Sequence, residues 1–185
     1  MEELQNYWEE YNFNRFNPVD LKSFETLTIL FPILAVVAAD HNIDGAEKEF
    51  YLEEIQRKVH QNEKLNLTLL KEEVRYITQN LEELSPLMLG ALKILVEKDG
   101  LAHELMDMML SAAKVSYESW QAKTLYGESD SRLKLSKKMI DLVVEDAISQ
   151  KERISDEELN VIKMILQKTN ALTERNKSIL ENLSN

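Results

Sequence analysis

Apolar residues recur along most of the chain at spacings of three and four, the pattern of amphipathic helices. Residues 1–13 predict a short helix of this kind at the start of the chain. The stretch from Ile29 to Ala39 is apolar on all sides, which predicts a helix that is buried all round. Capping residues predict the starts of further helices at Asp44, Asn66 or Thr68, Asp130 or Ser131, Ser155, and Thr173.

Prolines and glycines predict further helix boundaries. Asn17-Pro18 predicts the start of the second helix, and Pro32 is expected to kink or split that helix. Ser85-Pro86 predicts another helix start. Asp99-Gly100 predicts the turn before a long helix, which is expected to end at the loop of residues 123–130.

The whole chain is expected to be all-α. It has only four Gly and three Pro, too few for the many tight turns of a β-sandwich or barrel, and helix-favouring residues dominate. The predicted architecture is a compact bundle of about seven to nine helices. Residues 1–25 are predicted to form an N-terminal helical extension that packs on the core, and residues 26–185 the main helical domain.

Charge and composition exclude several classes of function. The net charge of −11 disfavours binding to nucleic acids and anionic membranes, and favours cations or basic protein surfaces as partners. There is no cysteine, so disulfides, zinc–thiolate sites and thiol catalysis are excluded. The apolar stretch from Thr26 to Ala39 is shorter than the roughly 20 residues of a transmembrane helix. Acidic residues stand where a secretion signal has basic ones, so a cytoplasmic location is expected.

Two interhelical turns share one sequence pattern. In residues 39–47 and again in residues 150–158, an apolar helix ends, a short turn contains one isoleucine, and a capping box opens the next helix. The two boxes are Asp44-Gly-Ala-Glu47 and Ser155-Asp-Glu-Glu158. The pattern predicts two similar helix–turn–helix units, which arise either from an internal duplication or because capped helical hairpins resemble one another.

The first of these turns carries a family resemblance. The segment Ala35-Val-Val-Ala-Ala-Asp-His-Asn-Ile-Asp-Gly-Ala-Glu-Lys-Glu49 resembles the signature of the tellurite-resistance TerB-like family. That signature is an alanine-rich helix, then Ala-Asp-Gly-x-(Ile/Leu)-(Asp/Ser)-x-x-Glu, then an amphipathic helix. The resemblance implies a compact helical bundle, a role in tellurite resistance and stress response, and no enzymatic activity. It also implies divalent-cation binding through Asp40, Asp44 and Glu47.

The chain departs from the family pattern at two positions. His41 stands where the family has Gly. In the second turn, Lys151 stands at the position that corresponds to Asp40 of the first turn. The second departure argues against a duplicated acidic metal site. A cation is therefore expected at the first turn only.

Electrostatics supplies a physical reason for a cation at the first turn. Asp40 is predicted at the carboxyl end of a helix, where its charge opposes the helix dipole at a cost of up to ~1 kcal/mol. A bound Ca²⁺, Mg²⁺ or Mn²⁺ would reverse this penalty, with Asn42 as a supporting ligand. Helix capping alone also explains Asp44 and Glu47, so that alternative stays open. A standard EF-hand is not expected, because Tyr51 stands where the bidentate glutamate belongs.

The remaining candidate residues are better explained by helix capping and core packing than by metal binding or catalysis. Asp99, His103 and Glu104 surround a third acidic turn and could cluster there, although helix capping also explains them. The methionines of the following helix are predicted to fill the core. No enzymatic motif is present in the sequence. The predicted function is a non-enzymatic TerB-like module that binds a divalent cation, and the alternative is a protein-interaction module with an acidic surface and no metal site.

Overall fold

The computed structural model describes residues 2–13, 15–39, 45–61, 65–126 and 154–184. Within these ranges the chain forms eight helices and no strand, which confirms the all-α prediction. The predicted helix that starts at Asp130 or Ser131 lies outside the described residues. The helices are α1 Glu2–Asn12, α2 Leu21–Val37, α3 Gly45–Gln61, α4 Leu67–Gln79, α5 Leu81–Asp99, α6 Ala102–Tyr126, α7 Asp156–Lys168 and α8 Glu174–Ser184.

Helix α2 is the centre of the bundle, in agreement with the burial that the apolar stretch from Ile29 predicts for its second half. Of its 17 residues, 13 are buried. It contacts α1, α3, α4, α5, α6 and α7. A helix that is apolar on every side must be covered on every side, so the other helices are arranged around this one. None of the helices in the described ranges is long and apolar enough to cross a bilayer.

The few polar side chains of α2 form hydrogen bonds within their own segment. Thr26 donates its hydroxyl to the Lys22 carbonyl at 2.9 Å, and Thr28 donates to the Phe24 carbonyl at 2.8 Å. The helix also continues through Pro32, so of the two predicted alternatives, a kink or a split, the split does not occur. Burial of the flanking apolar residues outweighs the roughly 3 kcal/mol that an interior proline costs a helix.

The start of α2 differs from the prediction at Asn17-Pro18. Asp20 is the N-cap, because its carboxylate accepts a hydrogen bond from the Ser23 backbone N–H at 2.9 Å. The helix cannot start earlier because Val19 is held by α1. The Asn12 side chain donates to the Val19 carbonyl at 3.0 Å and accepts from its N–H at 2.8 Å, and the Trp8 indole donates to the same carbonyl at 2.8 Å.

Two other boundaries also differ from the predictions. Helix α5 begins at Leu81 and not at Ser85-Pro86, because Asn80 alone separates it from α4. The Ser85 hydroxyl donates to the Leu81 carbonyl at 2.6 Å, so Ser85 lies within the helix. Helix α6 continues to Tyr126, so the first half of the loop predicted over 123–130 is helical, and the rest of that loop lies outside the described residues.

Several local predictions are confirmed. Gly100 ends α5 with a φ of 68°, the left-handed conformation that glycine adopts without strain. Asn66 caps α4, and its side chain accepts from the backbone N–H groups of the first turn. Thr173 caps α8 by accepting from the Asn176 N–H at 3.3 Å. These signals are contained within a few residues of sequence, so they can be read without knowledge of the fold.

Helix α1 packs on α5 and α2 and makes a close contact at Gly90. A Cβ atom at Gly90 would lie 2.5 Å from the Tyr7 hydroxyl oxygen and 2.6 Å from Cζ of the same ring. A glycine in a helix interior weakens the helix by about 1 kcal/mol relative to alanine. Here the glycine is required because the Tyr7 ring occupies the space of the missing side chain.

This contact predicts that the effect of Gly90→Ala depends on Tyr7. In Tyr7→Ala protein, we expect Gly90→Ala to raise the free energy of unfolding by about 1 kcal/mol, because alanine favours helix. With Tyr7 present, we expect no gain or a loss, because the methyl group must displace the ring. Urea unfolding of the wild type, both single variants and the double variant measures this coupling. Equal gains in both backgrounds would show that the Tyr7 ring does not need the space that Gly90 leaves.

Candidate functional site

The predicted cation site lies in the turn between α2 and α3. Asp40, Asn42 and Asp44 lie outside the described residues, so their predicted ligand roles stay predictions. Glu47 belongs to the first turn of α3, and only its backbone is described. What the structure does describe is the pair of helix ends that this turn joins and the surface beside them.

The carboxyl end of α2 has no basic residue in its last turn. The last helical bonds run from the Ala38 N–H to the Leu34 carbonyl and from the Ala39 N–H to the Val36 carbonyl, each at 3.0 Å. The remaining carbonyl groups carry the negative end of the helix dipole. Because α2 is buried along its length, this dipole is screened less than that of a surface helix.

A groove adds further negative charge beside this helix end. It has a volume of about 490 Å³. It is lined by Ala38 at the end of α2, by the last residues of α4, and by Leu81, Glu82 and Glu83 at the start of α5. Two carboxylates therefore share a groove with the carboxyl end of α2, next to the acidic turn in the chain. They also lie in the first turn of α5, whose positive dipole end offsets part of their charge. This end of the bundle favours a positively charged ligand.

The second turn contains the capping box that the sequence predicts. The Ser155 hydroxyl oxygen accepts from the Glu158 N–H at 3.1 Å, and Glu158 accepts from the Ser155 N–H at 2.8 Å. Ile154 packs against the core, as expected for the isoleucine of the shared pattern. This start of α7 is stabilised by its own side chains. Lys151, the basic residue of this turn, lies outside the described residues.

The residues of the third acidic turn do not converge in the structure. Asp99, His103 and Glu104 are all exposed. No group of three His, Asp or Glu side chains within the described ranges is placed to hold a metal ion, so the clustering left open beside helix capping is not found. Met106 and Met109 of α6 are fully buried, which confirms that they fill the core.

A buried ion-pair cluster that sequence reasoning missed joins the α1–α2 segment to α4. The Tyr11 hydroxyl donates to one carboxylate oxygen of Glu73 at 2.6 Å, and Arg15 donates to the other at 2.5 Å. The Arg15 guanidinium lies 4.1 Å from the centre of the Tyr76 ring and 4.7 Å from that of Tyr11. Burial, together with the hydrogen bond to Glu73, raises the pKa of Tyr11 above its ordinary value, so the phenol stays protonated and donates.

One sequence signal points to this cluster. Glu73 lies between Leu70 and Ile77 at spacings of three and four, on the apolar face of α4. A charged residue on a buried face requires a charged partner. The partner, Arg15, lies 58 residues earlier in the chain, so no local pattern identifies it. Since both carboxylate oxygens are already engaged, we interpret the cluster as a structural anchor for α1.

A second buried polar group lies in α3. The Tyr51 side chain is buried, and its hydroxyl has no hydrogen-bond partner among the described residues. Burial raises the pKa of Tyr51, so its hydroxyl is uncharged. A buried hydroxyl without a partner loses the hydrogen bonds that it makes to water in the unfolded chain.

No protein-family model, curated protein or solved structure matches this chain. The resemblance to the TerB-like family therefore rests on the residues of the acidic turn alone, and it stays a prediction.

The buried ion pair predicts a large effect for Glu73→Gln. We expect the free energy of unfolding to fall by about 3 kcal/mol, because the substitution leaves the Arg15 guanidinium buried without a counter-charge. Glu54→Gln is the matched control: its partner Arg57 is 50% exposed and stays hydrated when the ion pair is broken, so the loss should be at most about 1 kcal/mol. Chemical unfolding of both variants measures these losses of free energy of unfolding. Equal small losses would show that the Glu73 carboxylate is not an anchor.

The buried Tyr51 hydroxyl of α3 predicts that a tyrosine substitution raises the free energy of unfolding instead of lowering it. We expect Tyr51→Phe to raise the free energy of unfolding by about 1 kcal/mol, because it removes a buried polar atom without breaking a hydrogen bond. Tyr11→Phe is the control and should lower it by a similar amount, because it breaks the bond to Glu73. Thermal unfolding distinguishes the two, and a destabilised Tyr51→Phe variant would reveal a partner for the hydroxyl.

Proposed function

We propose that this chain is a non-enzymatic, TerB-like helical module that holds a divalent cation in the turn between α2 and α3. Asp40, Asp44 and Glu47 are the proposed carboxylate ligands, with Asn42 as a supporting oxygen ligand. Ca²⁺, Mg²⁺ and Mn²⁺ are the candidate ions, because all three prefer oxygen ligands. The associated role in tellurite resistance or metal stress belongs to the same proposal.

The observation that carries this proposal is the charge at the end of α2. A 17-residue buried helix ends there without a basic residue in its last turn, and it shares a groove with Glu82 and Glu83. The last turns of α3, α5 and α7 each contain a lysine. Those of α1, α4 and α8 contain no basic residue either, but these helices are largely exposed, so water screens their dipoles. A cation in the adjacent turn would offset the negative potential that α2 leaves uncompensated.

The test is isothermal titration with each of the three ions. We expect saturable binding to the wild type, and binding at least about tenfold weaker in Asp40→Asn, because the number of charged ligands tunes affinity at oxygen sites. Asp156→Asn is the matched control: it makes the same change of charge at the exposed start of α7, and we expect it to bind like the wild type.

Two results would overturn the cation proposal. The first is the absence of saturable heat with any of the three ions at millimolar concentration. The second is equal binding by the wild type and both variants, which would place the ion elsewhere. The ion that binds should also raise the melting temperature of the wild type by mass action, and this gives a second readout.

A second candidate function, a protein-interaction module with an acidic surface, is favoured by the composition of α1. This helix exposes Glu2, Glu3, Glu9 and Glu10 and contains no basic residue. With a net charge of −11 for the whole chain, its surface attracts basic partners. This function requires no metal ion, so chelation should leave it intact while raised salt weakens it.

A further inference from the structure

Three of the four large apolar side chains that are exposed in the described part of the chain lie around Arg15. Phe13 is 75% exposed and Phe16 is 97% exposed, and they lie two residues before and one residue after Arg15. Tyr76, at 36%, stacks under the Arg15 guanidinium. We call Phe13, Phe16 and Tyr76 the aromatic surface. Grouped apolar exposure of this kind marks an interaction site more often than scattered exposure does.

The segment that carries the aromatic surface is held firmly to the bundle. Val19 is bound by the Asn12 side chain and the Trp8 indole, and Arg15 is bound by Glu73. The exposed rings are therefore presented from an anchored segment. Docking there orders only the two side-chain torsions of each phenylalanine, which suits these residues to be contacts.

The charges beside the aromatic surface are acidic. Glu9 and Glu10 lie one helical turn before Phe13, and both are exposed. Glu72, also exposed, lies one turn before Tyr76.

The nearby basic residues are engaged or point elsewhere. Arg15 is paired with Glu73, and Lys22 is paired with Glu25 at 3.1 Å. The exposed cations of α4, Lys71 and Arg75, lie about 100° or more around the helix from Tyr76. The aromatic surface is thus an apolar centre bordered by negative charge.

We propose that the aromatic surface docks a basic amphipathic segment of another protein, with apolar side chains against Phe13 and Phe16 and lysine or arginine against Glu9 and Glu10. Charge complementarity selects this partner. A second copy of this chain, with its net charge of −11, would be repelled, and an anionic membrane would be repelled for the same reason. The inference rests on the second proposed function, because it names the surface and the partner chemistry of that interaction.

The test uses a synthetic amphipathic peptide of leucine and lysine, titrated into the full chain and followed by NMR amide shifts. We expect the shifts to centre on Phe13, Arg15, Phe16 and Tyr76. The variant Phe13→Ser/Phe16→Ser should bind at least about tenfold more weakly, because two central aromatic contacts are lost. Met164→Ser is the matched control, since Met164 is the fourth exposed apolar side chain, at 37%, and we expect it to bind like the wild type.

The charge requirement has its own control. A peptide in which glutamate replaces every lysine should not bind, because it meets Glu9 and Glu10 with like charge. All variants should keep the helical circular dichroism and the melting temperature of the wild type, because the substituted side chains are exposed.

The outcomes separate this inference from the function on which it rests. If Phe13→Ser/Phe16→Ser binds the lysine peptide as tightly as the wild type, the aromatic surface is not the docking site, although the acidic interaction survives. If neither the wild type nor Met164→Ser binds the lysine peptide, the interaction function fails as well.

Binding of the wild type, but not the double variant, to phosphatidylcholine vesicles would overturn the choice of a protein partner. Self-association that the double variant loses would overturn it in favour of a second copy.

Discussion

The burial of α2 is the constraint on which the rest of this fold depends. With 13 of 17 residues buried, among them every residue from Leu30 to Val37, the second half of this helix has no face open to water, and six neighbouring helices cover it. Its two threonine hydroxyl groups can be buried only because they bond to carbonyl groups one turn earlier. The same constraint keeps the helix continuous through Pro32, because breaking it there would expose apolar residues on both sides.

Helix α1 covers part of this bundle in a different way, by combining apolar packing with polar anchors. Tyr11 contributes both: its ring lies 5.2 Å from that of Phe24 in α2, and its hydroxyl bonds to Glu73 of α4. The ion pair with Arg15 then holds the α1–α2 segment against α4, where stacking on Tyr76 reinforces it. A buried pair of this kind adds little net stability compared with apolar packing, but it specifies one position for the segment, because a shift would leave both charges buried and unpaired.

The sequence predicted the features whose causes are local, and it missed those whose causes are distant. The capping box at Ser155 lies within four residues, so its pattern was sufficient. The local pattern predicts that α2 starts at Asn17-Pro18, because no local signal shows that Asn12 and Trp8 hold Val19 out of the helix. The Arg15–Glu73 pair spans 58 residues and was missed for the same reason. For the candidate cation site, the sequence supplied the residues, and the structure supplies the charge at the end of the helix that precedes them.

The two candidate sites flank α2 in the chain, which bears on how they relate. The acidic turn follows the last residue of this helix, and Phe13 and Phe16 precede its first residue. Coupling between the sites through α2 requires that this helix have two discrete arrangements that both sites bias. A helix packed on every side moves little without repacking its neighbours, and close-packed interiors resist such changes. Cation binding and peptide docking should therefore not be coupled through α2, so that each property can be present without the other.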